Sequence, residues 1–165
     1  MAIVLFRVDE RLIHGQVVVG WGNQLHPDVI VVVDDELAGS EWEQELYGLG
    51  MPSGMQAIFE TVSAARDKLD DWKQGAARMI VLTRDLPTMR RLAAGGLMRG
   101  EEVNIGGIHH APGREAILPY VYLSDDERTQ VAALRGEGAI VSARDLPGAR
   151  RVGVDQLLAG DSRTS

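Results

Sequence analysis

An α/β domain is predicted, with a mostly parallel open sheet, helices on both faces and one antiparallel edge strand. Three features of the 165-residue chain predict it. Apolar runs of strand length alternate with helical patterns from end to end, the order expected of βαβ units. Val29–Val33 is an unbroken β-branched run, as in a strand buried on both faces. Glycine and proline clusters punctuate the segments, and no internal repeat or long linker divides them. We therefore expect one domain at residues 1–160 and a disordered tail at 161–165.

The elements follow in order. Residues 2–6 form a hydrophobic first strand, and 16–25 a helix-like segment. Asp34-Asp35 closes the strand at 29–33. Residues 40–49 read as an acidic amphipathic helix, with Ser40 as N-cap and Glu43 completing a capping box. A turn at 50–54 leads to a strand at 56–60 and a helix at 63–72. A strand at 78–83 precedes a short helix at 86–94, stopped by Gly95-Gly96. Residues 102–105 form a strand ending in Gly106-Gly107. After the Pro112-Gly113 turn a strand is predicted at 117–123, with Pro119 marking an irregular point. Ser124 and Glu127 make a capping box for a helix running to about Arg135. The last predicted strand is 139–143.

Composition removes several function classes. The chain has no cysteine, which excludes disulfide scaffolds, zinc-thiolate sites and thiol catalysis. No apolar run approaches the roughly 20 residues that span a bilayer. The N-terminal apolar stretch is broken by Arg7 and Asp9 and does not read as a signal peptide. A cytoplasmic setting is expected. The net charge of −7 argues against a nucleic-acid partner.

The chemistry concentrates where the first strand meets the first helix, in Arg7-Val8-Asp9-Glu10-Arg11-Leu12-Ile13-His14-Gly15-Gln16-Val17. Open α/β sheets bind ligands beyond the carboxyl ends of their strands. A helix N-terminus there offers unpaired N–H groups and the positive end of a dipole, which suits a phosphoryl group. His14 reads as a phosphate-handling imidazole and Arg11 as a fixed charge for the transferring oxygens. Gly15 leaves room for a phosphoryl group, and Gln16 opens the helix. Arg7 could assist at longer range or pair with Asp9 or Glu10. Asp9 could orient the imidazole and select its tautomer, or simply cap the loop.

This motif, with Trp21 four residues on, resembles the active-site signature of enzyme IIB subunits of the mannose/fructose/sorbose family. That family belongs to the bacterial phosphoenolpyruvate-dependent sugar phosphotransferase system. Residues 30–35 resemble its second strand with an acidic end. Val103-Asn104-Ile105-Gly106-Gly107-Ile108-His109 resembles its Asn-Val/Ile-Gly-Gly-Met-His segment. The resemblance covers nearly the whole chain. Met51-Pro52-Ser53-Gly54, Ile108 and the segment 150–158 depart from the family pattern, away from the His14 loop.

The resemblance implies a phosphohistidine carrier, a transferase that needs no cofactor or metal. A IIA protein would phosphorylate His14 on Nδ1, with Arg11 stabilising the transferring group. His14 would then pass the phosphoryl group to a sugar held by the membrane permease components IIC and IID. The chain would associate peripherally with that permease, and a homodimer is compatible with the family's setting. If the fourth strand lies beside the first, Thr83 and Arg84 end near His14. Thr83 could then hydrogen-bond the phosphate or merely fill a strand position. The sugar would be chosen on another polypeptide.

Competing readings carry less. A receiver domain needs an aspartate at the end of a later central strand and a downstream lysine. Here Arg84 stands at that strand end, and Lys73 is the last lysine. A dinucleotide module needs Gly-x-Gly-x-x-Gly after the first strand, and Gly15, Gly20 and Gly22 have the wrong spacing. His109-His110 diverge on an extended segment and make a poor metal site. His26 is expected in solvent, and Trp21 and Leu25 in the core. A regulatory phosphoprotein of the same fold, uncoupled from transport, is the surviving alternative.

Overall fold

The computed structural model describes residues 3–159. Ala2, where the first strand was predicted to begin, and the predicted tail at 161–165 lie outside the described residues. β1 (Ile3–Asp9) runs three residues further than predicted and carries Arg7, Val8 and Asp9 within the strand. Charged residues normally mark a strand's end, but Arg7 and Asp9 pair with each other in the interior.

The first helical segment is a π-helical turn, Gln16–Trp21, running into one α-helical turn, α1 (Gly22–Leu25). His26 ends it in the left-handed conformation and is exposed. β2 (Val29–Val33) is buried throughout, as its composition predicts. α2 (Glu41–Gly48) begins after Ser40, but the predicted capping box does not form. The Gln44 side chain instead donates to the carbonyls of Leu37 and Ala38, tying the helix to the preceding 3-10 turn. β3 (Gln56–Glu60) follows as predicted. α3 (Val62–Gln74) starts earlier than expected, because Thr61 supplies its cap by accepting from the Ala64 N–H.

β4 (Met79–Thr83) and α4 (Leu86–Ala93) follow, the helix capped by Asp85. β5 is Glu102–Gly107. The strand predicted at 117–123 is a hairpin instead: β6 (Glu115–Leu118) and β7 (Val121–Leu123) pair antiparallel on either side of Pro119 and Tyr120. Proline lacks the N–H that would continue the ladder, so the chain turns there. α5 (Asp125–Gly136) carries the full Ser124–Glu127 capping box. β8 (Ile140–Ala143) ends the parallel set. β9 (Val152–Gly153) and α6 (Val154–Leu158) complete the described chain, in a segment to which the sequence assigns no element.

The main sheet has seven strands in the order β3-β2-β4-β1-β5-β8-β9. All neighbours are parallel except β8 and β9, so β9 is the antiparallel edge. From β1 the chain steps out to β2 and β3, returns to β4, and crosses to β5 and β8. The order thus reverses beside β1, which places the ligand crevice at the carboxyl ends of β1 and its neighbours. One core lies under α3 to α6, with Phe6 and Val8 facing it. The other lies under the π-helical turn and α1, built from Leu12, Val17, Trp21, Ile30, Val32 and Leu82.

Candidate functional site

Asp9 is the hub of the crevice. It is fully buried, yet Arg7, Arg11 and His14 all stand within 3.6 Å of its carboxylate. Its Oδ1 accepts from the Arg11 backbone N–H at 3.0 Å and from Arg11 Nε at 3.2 Å. Its Oδ2 accepts from Arg7 Nη2 at 3.0 Å and from Arg11 Nη2 at 3.3 Å. The His14 Nε2 stands 3.6 Å from Oδ2. A buried carboxylate is tolerable only with such company. Asp9 therefore caps the loop, one of the two roles the sequence left open, and also pairs with two arginines.

Arg7 belongs to the scaffold. It is fully buried and faces the α1 side of the sheet. Nη1 donates to Asn104 Oδ1 at 2.7 Å and to the Arg144 carbonyl at 3.1 Å, and Nη2 donates to the Asp145 carbonyl at 3.1 Å. The guanidinium also lies 5.5 Å from the Trp21 ring centroid, a cation–π distance. Burial lowers its pKa, and Asp9 acts in the opposite direction. Arg7 and Asn104 are direct neighbours in the β1–β5 register. The guanidinium then arches over Gly106, where a Cβ would overlap it. At Gly107 a Cβ would press on Asp9 Oδ1 at 3.0 Å and Arg11 Nη2 at 3.3 Å. The Gly-Gly pair is therefore part of the site.

The loop after Asp9 is tight. Leu12 is fully buried at φ 58°, in the left-handed region that a branched side chain seldom occupies. Its N–H donates to the Asp9 carbonyl. Its own carbonyl lies 2.9 Å from His14 Nδ1. A carbonyl only accepts, so Nδ1 carries the proton in this arrangement. Leu12, rather than Asp9, makes the hydrogen bond that orients the imidazole. His14 Nε2 is buried without a hydrogen-bond partner among the described residues. The His14 carbonyl accepts from the N–H groups of Val17 and Val18, joining the loop to the helical turn.

Arg11 is the exposed member, with 38% of its side chain accessible. Gln16 Oε1 accepts from Arg11 Nη2 at 2.7 Å and fixes it toward the loop. Gly15 is exposed, and a Cβ there would meet nothing within 4 Å. Six of the predicted residues, Arg7, Asp9, Arg11, His14, Gly15 and Gln16, are thus brought together. Thr83 is not. It pairs with Val8 in register, but it is fully buried and its hydroxyl donates to the Asp85 carbonyl. The strand-filling alternative matches this geometry.

Other contributors were not foreseen. Glu10 accepts from the His109 N–H at 2.8 Å and from Arg114 Nη1 at 2.7 Å. Arg114 also makes a two-point pair with Glu127, so α5 and the β5–β6 connection are strapped to the His14 loop. Burial pushes the Arg114 pKa down, but Glu127 and Glu10 outweigh it and hold it above the usual value. Asp34 and Asp35, the acidic end of β2, cap loops: Asp34 accepts from the N–H groups of Glu36 and Leu37, and Asp35 from that of Val62. No cluster of three or more metal-ligating side chains occurs among the described residues.

The family model for the PTS system sorbose subfamily IIB component matches residues 3–165. The chain belongs to this family. Such IIB components are parts of the sugar phosphotransferase system. A relative from Escherichia coli K12, the N-acetylgalactosamine-specific phosphotransferase enzyme IIB component 1, is 31% identical over 147 residues, covering 88% of this chain and 92% of that one. The mannose-specific EIIAB component of the same strain is 28% identical over 146 residues, covering 88% of this chain and 45% of that protein. The crystal structure of manxB from Thermoanaerobacter tengcongensis superposes with a TM-score of 0.82 at 30% identity, covering 96% and 95% of the two chains. No helix among the described residues of this IIB chain is long and apolar enough to cross a membrane.

Proposed function

We propose that this IIB chain is a phosphohistidine carrier, with His14 as the phosphorylated residue and Arg11 as its electrostatic partner. One observation carries the reading: an imidazole at a strand-to-helix junction stands 3.6 Å from a buried carboxylate that pairs with two arginines, one of them solvent-accessible. Phosphoryl transfer between nitrogens is chiefly positioning and charge stabilisation, which such a cluster supplies without a metal.

The geometry suggests the sequence of events. To accept a phosphoryl group on Nδ1, the ring must leave the Leu12 carbonyl and carry its proton on Nε2. Asp9 Oδ2, 3.6 Å from Nε2, is the acceptor placed to hold that proton. The N–P bond of the donor breaks as the new N–P bond forms at His14, over the open space at Gly15. Arg11 neutralises the equatorial oxygens.

The donor in this reading is a IIA protein, a pairing supported by the EIIAB relative, which joins both labels in one polypeptide. The acceptor is a sugar held by IIC and IID, so the chain works in the cytoplasm beside the membrane permease. The test is a phosphorelay from labelled phosphoenolpyruvate through enzyme I, HPr and a IIA protein. Acid-labile phosphate should appear on the wild-type chain and be absent from His14→Ala. Label on His14→Ala would refute the assignment. Phosphorylation with no onward transfer to sugar in permease-containing vesicles would favour a regulatory phosphoprotein.

A further inference from the structure

The sheet is covered unevenly. On β5 and β8, Val103, Ile105, Val141 and Ala143 face the core under α3 to α6. Glu102, Asn104 and Ser142 alternate to the other face, with Asn104 directly beside Ser142 in register. On that face the first helical segment reaches only as far as Trp21 and Leu25. Between these and the arginines at 144 and 151 lies a cavity of about 210 Å³, with Asn104 and Ser142 in its lining. Such a volume is below the roughly 300–1,000 Å³ of most ligand pockets and suits a small molecule.

Its chemistry is two-sided. Leu5, Trp21 and Leu25 supply an apolar wall. The lining also includes two arginines and one carboxylate. Glu102 is already engaged, accepting from the Ser142 hydroxyl at 2.7 Å and from Arg151 Nε at 2.6 Å. Arg144 Nη1 donates to the Pro147 carbonyl at 3.2 Å. The remaining N–H groups of both arginines are donors with a net positive field, the setting in which an anion binds.

The lining also touches the phosphate site. The Arg144 carbonyl accepts from Arg7 and from Asn104, each at 3.1 Å. The Asp145 carbonyl accepts from Arg7 and from Trp21 Nε1. Three lining residues therefore hold Arg7, which in turn holds Asp9.

We propose that this cavity binds a small organic anion, its charged end on Arg144 and Arg151 and its apolar end against Leu5, Trp21 and Leu25, and that occupancy changes the rate of phosphoryl exchange at His14. The second half rests on reading His14 as the carrier. The test follows the Trp21 indole N–H resonance by NMR while butyrate or butyl phosphate is added, with 1-butanol as the neutral comparison. At least one anion should give a saturable shift that butanol does not, and Arg151→Gln should weaken it about tenfold. Should Arg151→Gln fail to fold, Arg144→Gln serves in its place. No saturable shift from either anion, an equal response to butanol, or unchanged affinity in the folded variant would overturn the site. The saturating anion should also alter the rate at which His14 is phosphorylated. Binding with an unchanged rate overturns the regulatory half. A chain that takes up no phosphate at all fails the carrier reading, while the binding result stands.

Discussion

Gly106→Ala adds one methyl group and should disable the site from a position that never meets the phosphate. The new Cβ would overlap Cζ, Nη2 and Nε of Arg7. Ordinary contact needs about 3.5–4.0 Å, so the guanidinium must retreat by about 2 Å. It cannot do so and keep its bonds to Asn104, Asp9 and the carbonyls of Arg144 and Asp145. Overpacking alone costs about 1–3 kcal/mol, and breaking a buried pair about 3–5 kcal/mol. Partial relaxation keeps the two from adding, which leaves a loss of about 3–5 kcal/mol. For a chain of this length that lowers the melting temperature by about 10 °C. Urea unfolding and a phosphorylation time course measure the two consequences separately. Gly15→Ala is the matched control. Gly15 has helical φ and ψ of −53° and −41°, and its Cβ would meet nothing within 4 Å. Its stability should stay within about 1 kcal/mol of wild type. If Gly106→Ala matched wild type in both assays, the claim that buried Arg7 organises the loop would fall.

Arg11→Ala should slow phosphorylation of His14 by about 10²–10³-fold, the scale of losing one preorganised charge donor, while stability changes little because the side chain is partly exposed; an unaltered rate would remove Arg11 from the mechanism. Burial pushes the Glu102 carboxyl up, but hydrogen bonds from Ser142 and Arg151 outweigh it and leave its pKa below the ordinary value. A carboxylate depressed in the folded state contributes stability above its unfolded pKa, about 4.3, and loses it as pH falls through the lower folded value. Denaturant unfolding from pH 6 to 3 should therefore fall less steeply for Glu102→Gln than for wild type, and parallel curves would refute the link.

The regular elements were legible where local chemistry decides them. Val29–Val33 has the composition of a doubly buried strand, and Ser124 with Glu127 that of a capping box, and both form as their residues suggest. Ser40 and Glu43 have the same spacing, but Gln44 found better partners in two carbonyls of the preceding turn. That choice depends on how the 3-10 turn packs, which no local pattern encodes. The hairpin at Pro119 is half visible, since the proline marks an irregular point but does not say that the chain reverses there. In the site, the residues contiguous with His14 were readable because the loop itself brings them together. Asn104, Gly106, Glu127 and the carbonyls of Arg144 and Asp145 arrive from strands and loops far along the chain. The signal that could have found Gly106 was its place two residues after Asn104 on a strand beside Arg7, since a glycine inside a strand marks a close approach.

The division of labour between the two arginines explains why the motif carries both. A charge that must meet a transferring phosphoryl group has to be accessible, and an accessible arginine is free to wander. Arg11 is held by Asp9 and Gln16, so it reaches solvent without losing its direction. Asp9 can serve as that anchor only if its own burial is compensated, and Arg7 supplies the compensation from inside the sheet. Arg7 in turn must be fixed, which requires Asn104, two backbone carbonyls and a missing side chain at residue 106. Each layer is less exposed and more constrained than the one it supports. A substitution should therefore change chemistry first at Arg11 and stability first at Arg7, with Asp9 affecting both. Measuring rate and stability together across those three positions would separate this arrangement from one in which all three simply bind phosphate, where rate alone would suffer.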